Sequence, residues 1–186
     1  IKKRGGKPRE PLQYKQVYHD RLWERISWRV AGLQNGSIVL EEMVVPGSID
    51  LLRELRKRGV TLYLASGTDL SYVQDEARAI GVSDYFNGGI YGALDQYEKF
   101  SKQMLINEIL KTHRLQGSHL VTFGDGYVEI ENTKEVGGIA VGVASDEVKR
   151  CGVNEWKRNR LINAGADLII PDHREHEQLL MYLFNE

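Results

Sequence analysis

"FGDGYVEIE", residues 123–131, joins the end of an apolar segment to a stretch with the pattern of a helix. Two glycines flank Asp125, and Glu129 follows four residues later. The apolar run at residues 120–123 predicts a buried strand, and the spacing of four places Asp125 and Glu129 on the same side of the first helical turn. Two carboxylates without a neighbouring histidine or cysteine suit Mg²⁺, so both residues are candidate metal ligands.

A second explanation for these acids needs no metal. Negative side chains are favourable at the start of a helix because they complement the helix dipole. This would account for one of the two carboxylates. An aspartate inside a Gly-Asp-Gly turn is less easily explained by capping, so we favour the metal site.

Short apolar segments alternate with amphipathic segments on both sides of this stretch. Strands are predicted at residues 60–65, around Ile90, and at 120–123, 139–143 and 168–170; helices are predicted at 48–58, 69–80, 102–113, 128–136, 154–164 and 175–184. This alternation is typical of an α/β fold in which helices cover both faces of a parallel sheet.

The first 45 residues do not follow this alternation. Residues 1–10 are basic and glycine-rich, which predicts a flexible arm. Residues 11–45 begin with apolar and aromatic residues at helical spacing and continue as a connector. We expect the aromatic stripe of this helix to pack rather than to bind a ligand. The α/β core is predicted to occupy residues 46–186.

The composition limits the kinds of molecule that this protein is expected to bind. The formal net charge of the 186 residues is −1, which argues against a nucleic acid or an anionic membrane surface as the main partner. No apolar run approaches the roughly 20 residues that span a bilayer. A single cysteine, Cys151, cannot form an internal disulfide and fits a reducing compartment. We therefore expect a cytoplasmic protein that binds neither nucleic acid nor membrane.

Two further positions are candidates for binding an anion. Ser66 and Gly67 directly follow the strand predicted at residues 60–65, where a hydroxyl and free N–H groups can bind an anion, although Ser66 could equally cap the next helix. Lys102 begins a predicted helix, where a cation opposes the helix dipole, so an anion is expected nearby. Lys99 is the alternative lysine.

In the order "LYLASGT" (62–68), "FSK" (100–102) and "FGDGYVEIENTKEVGGIAVGVAS" (123–145), these motifs resemble the haloacid dehalogenase-like superfamily, whose members include phosphoglycolate phosphatases and phosphomutases. The resemblance covers about residues 44–186 and implies a Rossmann-like parallel sheet, with residues 11–45 as the closing part of a helical cap.

The resemblance also implies roles for the candidate residues. Ser66 and Lys102 would act as catalytic and phosphate-binding residues, with the Gly67 amide helping to orient the phosphoryl group. Asp125 would bind Mg²⁺, and Glu129 would bind it directly or through water.

One motif of the family is absent. Its members carry Asp-x-Asp on an N-terminal strand, with the first aspartate as nucleophile, and no Asp-x-Asp occurs in this sequence. In the family that strand lies between the strands that end here at Ala65 and Phe123. We expect the motif and its strand upstream of Ile1, or a strand from another chain, since two unpaired strand edges in the interior are unfavourable.

The resemblance implies a Mg²⁺-dependent phosphatase that acts on a small phosphorylated metabolite through an aspartyl-phosphate. A sugar-phosphate mutase would use the same residues, and a non-catalytic phosphate-sensing module is the alternative from another class. A dinucleotide-binding site is rejected because Glu129 stands where its last glycine is required. His173 and His176 lack a third metal ligand in the sequence nearby, and we interpret them as a solvated helix end.

Overall fold

The computed structural model describes residues 5, 6, 8, 10–93 and 101–186. They divide into two compact units, Ile1–Leu40 and Glu41–Glu186. Most of the predicted arm at residues 1–10, and the alternative phosphate-binding residue Lys99, lie outside the described residues.

In the described part of the first unit there is one helix, α1, at Pro11–Asn35. Pro11 stands at its first position, where a missing N–H costs nothing, and Gly36 ends it in the left-handed conformation with φ 75°. The predicted packing of the aromatic stripe is not seen: Tyr18 is 61% and Trp23 52% exposed. The physical reason is that the described part of this unit offers no second helix against which that face could be buried.

The second unit contains the alternating elements. Its helices are α2 (Ser48–Lys57), α3 (Leu70–Ala79), α4 (Lys102–His113), α5 (Tyr127–Glu135), α6 (Glu155–Asn163) and α7 (His176–Phe184), and its strands are β1 (Tyr63–Asp69), β2 (Gly89–Ala93), β3 (Val121–Gly124), β4 (Ile139–Val143) and β5 (Leu168–Ile170). Short 3₁₀ turns lie at Leu40–Glu42, Ser83–Tyr85 and Gly117–His119.

All strand pairs in the named strands are parallel. β1 pairs with β2, and β3, β4 and β5 form a second sheet in that order. Helices cover both faces of the second sheet. Thr122 of β3 hydrogen-bonds Thr133 of α5, whereas the next residue, Phe123, packs against Leu51 and Leu55 of α2 and Leu180 of α7. The predicted α/β fold with parallel strands flanked by helices is therefore confirmed.

The boundaries of the first strand differ from the prediction. Residues 60–65 were expected, but β1 begins at Tyr63 and continues through Asp69. Between Ala65 and Asp69 the pairing with β2 shifts, so that residues 66–68 lie opposite Gly92 alone. A Cβ on Gly92 would lie 2.7 Å from the carbonyl oxygen of Thr68, so glycine is needed beside this bulge.

The strands differ in burial. Ala140 and Val141 of β4 are fully buried, whereas every residue of β1 and β3 keeps some exposure. Among the described residues, no strand pairs with the second edge of β1 or β3. The two small sheets thus end in unpaired edges.

Within the described residues, no helix combines the length and the apolar character needed to cross a bilayer.

Candidate active site

The stretch between β3 and α5 is a tight turn over which Glu129 folds back. A Cβ on Gly124 would lie 2.4 Å from Cγ of Glu129, and a Cβ on Gly126 would lie 2.8 Å from its Oε1. Neither glycine has a positive φ, and that of Gly126 is −100°. A side chain at either position would therefore displace Glu129 from the position that it takes over the turn, whereas the sequence pattern indicated only a turn.

Both carboxylate oxygens of Glu129 have partners. The Gly126 N–H donates to Oε1 at 3.0 Å, and the Lys102 ammonium donates to Oε2 at 2.9 Å. Burial alone would raise the pKa of Glu129, but the hydrogen bond and charge of Lys102, together with the Gly126 N–H, outweigh it and hold this pKa below the usual glutamate value. Glu129 is thus an anion held between a helix start and a cation.

Lys102 begins α4, as the sequence predicted. Ser101 caps this helix, since its hydroxyl oxygen accepts a hydrogen bond from the Met104 N–H at 3.1 Å. The side chain of Lys102 is 24% and that of Glu129 16% exposed, so their ion pair is largely screened from water. The anion expected near Lys102 is therefore present within the chain.

Asp125 points to a different lysine. Its side chain is 62% exposed, and its Oδ2 accepts a hydrogen bond from Lys157 Nζ at 3.3 Å. The same ammonium contacts Glu147 Oε1 at 2.6 Å and Ser145 Oγ at 3.5 Å. Burial alone would lower the pKa of Lys157, but the hydrogen bonds and charges of Glu147 and Asp125 outweigh it and raise this pKa.

Lys157 is a residue that the sequence analysis missed. It lies 32 residues after Asp125, in the first turn of α6, and no local spacing connects the two positions. One signal was available: Lys157, like Lys102, is a cation in the first turn of a helix, where the dipole disfavours it.

Ser66 and Gly67 lie within β1 and not after it. The Ser66 hydroxyl oxygen accepts a hydrogen bond from the Thr68 N–H at 3.1 Å, which supports the bulge. Gly67 is exposed, and no heavy atom would lie within 4 Å of a Cβ placed on it. There is thus open space beside the Cα of Gly67.

The structure joins some of the predicted site residues and not others. Lys102 and Glu129 are in direct contact, and Asp125 belongs to the same turn as Glu129 but bonds to Lys157. In the described part of the chain, no recorded hydrogen bond links Ser66 to these residues, although α4 contacts both α5 and β1. The assignment of Ser66, Gly67, Lys102, Asp125 and Glu129 to one phosphate and metal site stays a prediction.

Of the two histidines near the C-terminus, His176 is the partly exposed first residue of α7, as interpreted, whereas the ring of His173 is not solvated. The His173 ring packs edge-on against Phe123. Its Nδ1 is buried and has no hydrogen-bond partner among the described residues. Nδ1 of His176 lies 3.1 Å from the His173 carbonyl oxygen. Burial lowers the pKa of His173, although the Asp172 charge opposes this, so the neutral ring is favoured. Across the described ranges, no three His, Cys, Asp or Glu side chains converge as a metal-binding group.

Two curated proteins are similar in sequence. A 5'-nucleotidase from Pseudomonas aeruginosa is 28% identical over 128 residues, which are 66% of this chain and 55% of that protein. A phosphoglycolate phosphatase from Vibrio vulnificus is 27% identical over 95 residues, which are 50% of this chain and 41% of that protein. The chain spans about half the length of these curated relatives.

A solved structure shows the same fold. The haloacid dehalogenase-like protein of unknown function from Agrobacterium tumefaciens superimposes with a TM-score of 0.63 at 14% identity, covering 95% of this chain and 72% of that protein. The family model described as haloacid dehalogenase-like hydrolase matches residues 13–137, which include β3 and the Asp125–Glu129 turn. The chain belongs to the haloacid dehalogenase-like hydrolase family.

Proposed function

We propose that this chain supplies the phosphate- and metal-binding residues of a Mg²⁺-dependent phosphatase for a small phosphorylated metabolite. The observation that carries the proposal is the Lys102–Glu129 ion pair, at 2.9 Å, beside the Gly-Asp-Gly turn that presents Asp125. The relatives named 5'-nucleotidase and phosphoglycolate phosphatase support a phosphate monoester as substrate.

The donor atoms around the turn fit a magnesium ion. Asp125 is exposed, and within the described residues its Oδ1 has no hydrogen-bond partner. Mg²⁺ is bound through one or two carboxylates and keeps several waters, so Asp125 is suited as a direct ligand. The oxygens of Glu129 are already bonded to Lys102 and Gly126, which favours a contact through water. A bound Mg²⁺ would offset charge on the phosphoryl oxygens.

The other site residues would bind and orient the phosphoryl group. Lys102 carries the positive charge that a phosphate oxygen needs, and Glu129 holds its ammonium in place. The Gly67 N–H and the Ser66 hydroxyl would donate to further phosphate oxygens. Holding the phosphoryl group in one orientation accounts for a large part of the rate enhancement in enzymatic phosphoryl transfer.

The nucleophile would come from outside the described residues. An aspartate carboxylate oxygen would form a bond to phosphorus, while the ester P–O bond breaks and the leaving oxygen takes up a proton to give the alcohol. Water would then hydrolyse the aspartyl-phosphate to inorganic phosphate and restore the carboxylate.

We also propose that a strand from outside the described residues, either from a longer form of this chain or from another chain, pairs with β1 and β3. The support is the two unpaired edges and the partial exposure of both strands beside the buried β4. Each backbone N–H or C=O group that is left without a partner in the interior costs roughly 1–3 kcal/mol.

Hydrogen exchange tests the proposed strand. In the complete protein, the backbone amides of β1 and β3 are expected to exchange more slowly than in the isolated 186-residue chain, as measured by mass spectrometry of peptides. The amides of β4, which are already paired on both sides, serve as the internal reference. Equal exchange of β1 and β3 in both proteins would count against a strand supplied by a longer form of this chain.

The activity is tested directly on the complete protein. We expect release of inorganic phosphate from p-nitrophenyl phosphate, and from at least one nucleoside 5'-monophosphate or phosphoglycolate, in the presence of Mg²⁺. The release should fall to background with EDTA and return when Mg²⁺ is added in excess. Isomerisation of a sugar phosphate without phosphate release would identify a mutase, and no reaction with any phosphate ester would favour a non-catalytic module.

A further inference from the structure

Lys157 is held in a fixed position between three oxygen atoms. Its backbone N–H donates to the Asn154 side chain at 3.0 Å, which anchors it in the first turn of α6. Its side chain is only 15% exposed, whereas those of Asp125 and Glu147 are 62% and 71% exposed. The ammonium is therefore the fixed member of this group, and the two carboxylates reach to it from the surface.

The two carboxylates do not share the ammonium equally. Glu147 Oε1 lies 2.6 Å from Lys157 Nζ, and Asp125 Oδ2 lies 3.3 Å away. The third acceptor, Ser145, is buried and forms an isolated antiparallel bridge with Val153, so this side of the group is held by backbone contacts. Asp125 is thus the more weakly held of the two acids.

We propose that the Lys157 ammonium, as the counter-ion of Asp125, competes with a divalent cation for this carboxylate and thereby sets the metal affinity of the site. The Glu147 carboxylate weakens the competition because it compensates part of the ammonium charge. The inference rests on the proposed function because it takes Asp125 as a metal ligand. A cation bound to the free oxygen of Asp125 would lie close to a like charge on Lys157, and this repulsion opposes binding.

Removal of the positive charge tests the competition. In the complete protein, Lys157→Met is expected to lower the Kd for Mg²⁺ about tenfold, because the negative charges of Asp125 and Glu147 are no longer compensated. Isothermal titration with MgCl₂ alone measures this without substrate or turnover. Lys157→Arg keeps the charge and should keep the Kd within about twofold of the wild type.

A matched control separates this effect from a change of net charge. Lys57→Met removes the same charge from a lysine near the end of α2 that is 63% exposed and pairs with Glu54 at 2.5 Å. Its Kd for Mg²⁺ should stay within about twofold of the wild type, since exposed charges away from the site are screened.

A second variant is expected to change the Kd for Mg²⁺ in the opposite direction, and it tests the inference even if Lys157→Met does not fold. Glu147→Gln removes the competing negative charge, so less of the ammonium charge is compensated, and the Kd of Asp125 for Mg²⁺ should rise several-fold. An unchanged or higher Kd in Lys157→Met, or a lower Kd in Glu147→Gln, would overturn the inference.

One further titration distinguishes this inference from the proposed function. If Asp125→Asn leaves the Kd for Mg²⁺ unchanged, Asp125 is not a ligand, and the proposed metal site fails together with the inference. If Asp125→Asn weakens Mg²⁺ binding while Lys157→Met does not strengthen it, the metal site stands and only the competition is wrong.

Discussion

Replacement of Asp125 by asparagine is expected to lower the Mg²⁺-dependent phosphatase activity of the complete protein by about 100-fold or more. The amide keeps the size of the side chain and can still accept the hydrogen bond from Lys157, but it lacks the negative charge that a hard divalent cation requires. Because Asp125 is 62% exposed, the fold should be little affected. The loss of activity is measured as the rate of phosphate release at saturating substrate over a range of Mg²⁺ concentrations.

A matched control for this variant is Asp75→Asn. Asp75 is similarly exposed, at 66%, and pairs with Arg78 on the surface of α3. Its activity and Mg²⁺ dependence should equal those of the wild type. If Asp125→Asn has the turnover and Mg²⁺ dependence of the wild type, Asp125 has no place in the active site.

Replacement of Gly117 by alanine is expected to lower the free energy of unfolding by about 3 kcal/mol. A Cβ at this position would lie 1.6 Å from the carbonyl oxygen of Val136, at the end of α5, and the obstacle is backbone that cannot rotate away. The 3₁₀ turn at Gly117–His119 would have to move off α5, which also disturbs the start of β3. Urea unfolding followed by circular dichroism measures the change.

Gly67→Ala is the matched control for stability. No heavy atom lies within 4 Å of a Cβ placed there, and its φ is not in the left-handed region, so the unfolding free energy should be unchanged or slightly higher. A loss for Gly117→Ala no larger than that for Gly67→Ala would contradict the close contact between the 3₁₀ turn and α5.

Most elements of the α/β unit could be predicted because their patterns are local. The bounds of α4 and β4 agree with the predicted 102–113 and 139–143, since Ser101 caps the one and a short apolar run forms the other. β1 was placed too early because its end depends on the pairing with β2, which the run of apolar residues does not contain. The exposure of the α1 stripe likewise depends on what is available to cover it.

In the candidate site, too, some features follow from local sequence and others depend on tertiary contacts. The sequence by itself determined the α/β class, the family, and the turn that carries Asp125 and Glu129, because these depend on residue type and on spacings within one or two helical turns. Only the tertiary structure decided that Glu129 is bonded to Lys102 and Asp125 to Lys157, across 27 and 32 residues. The partner of a charge is set by which helices pack together, and packing brings residues into contact that no short spacing connects.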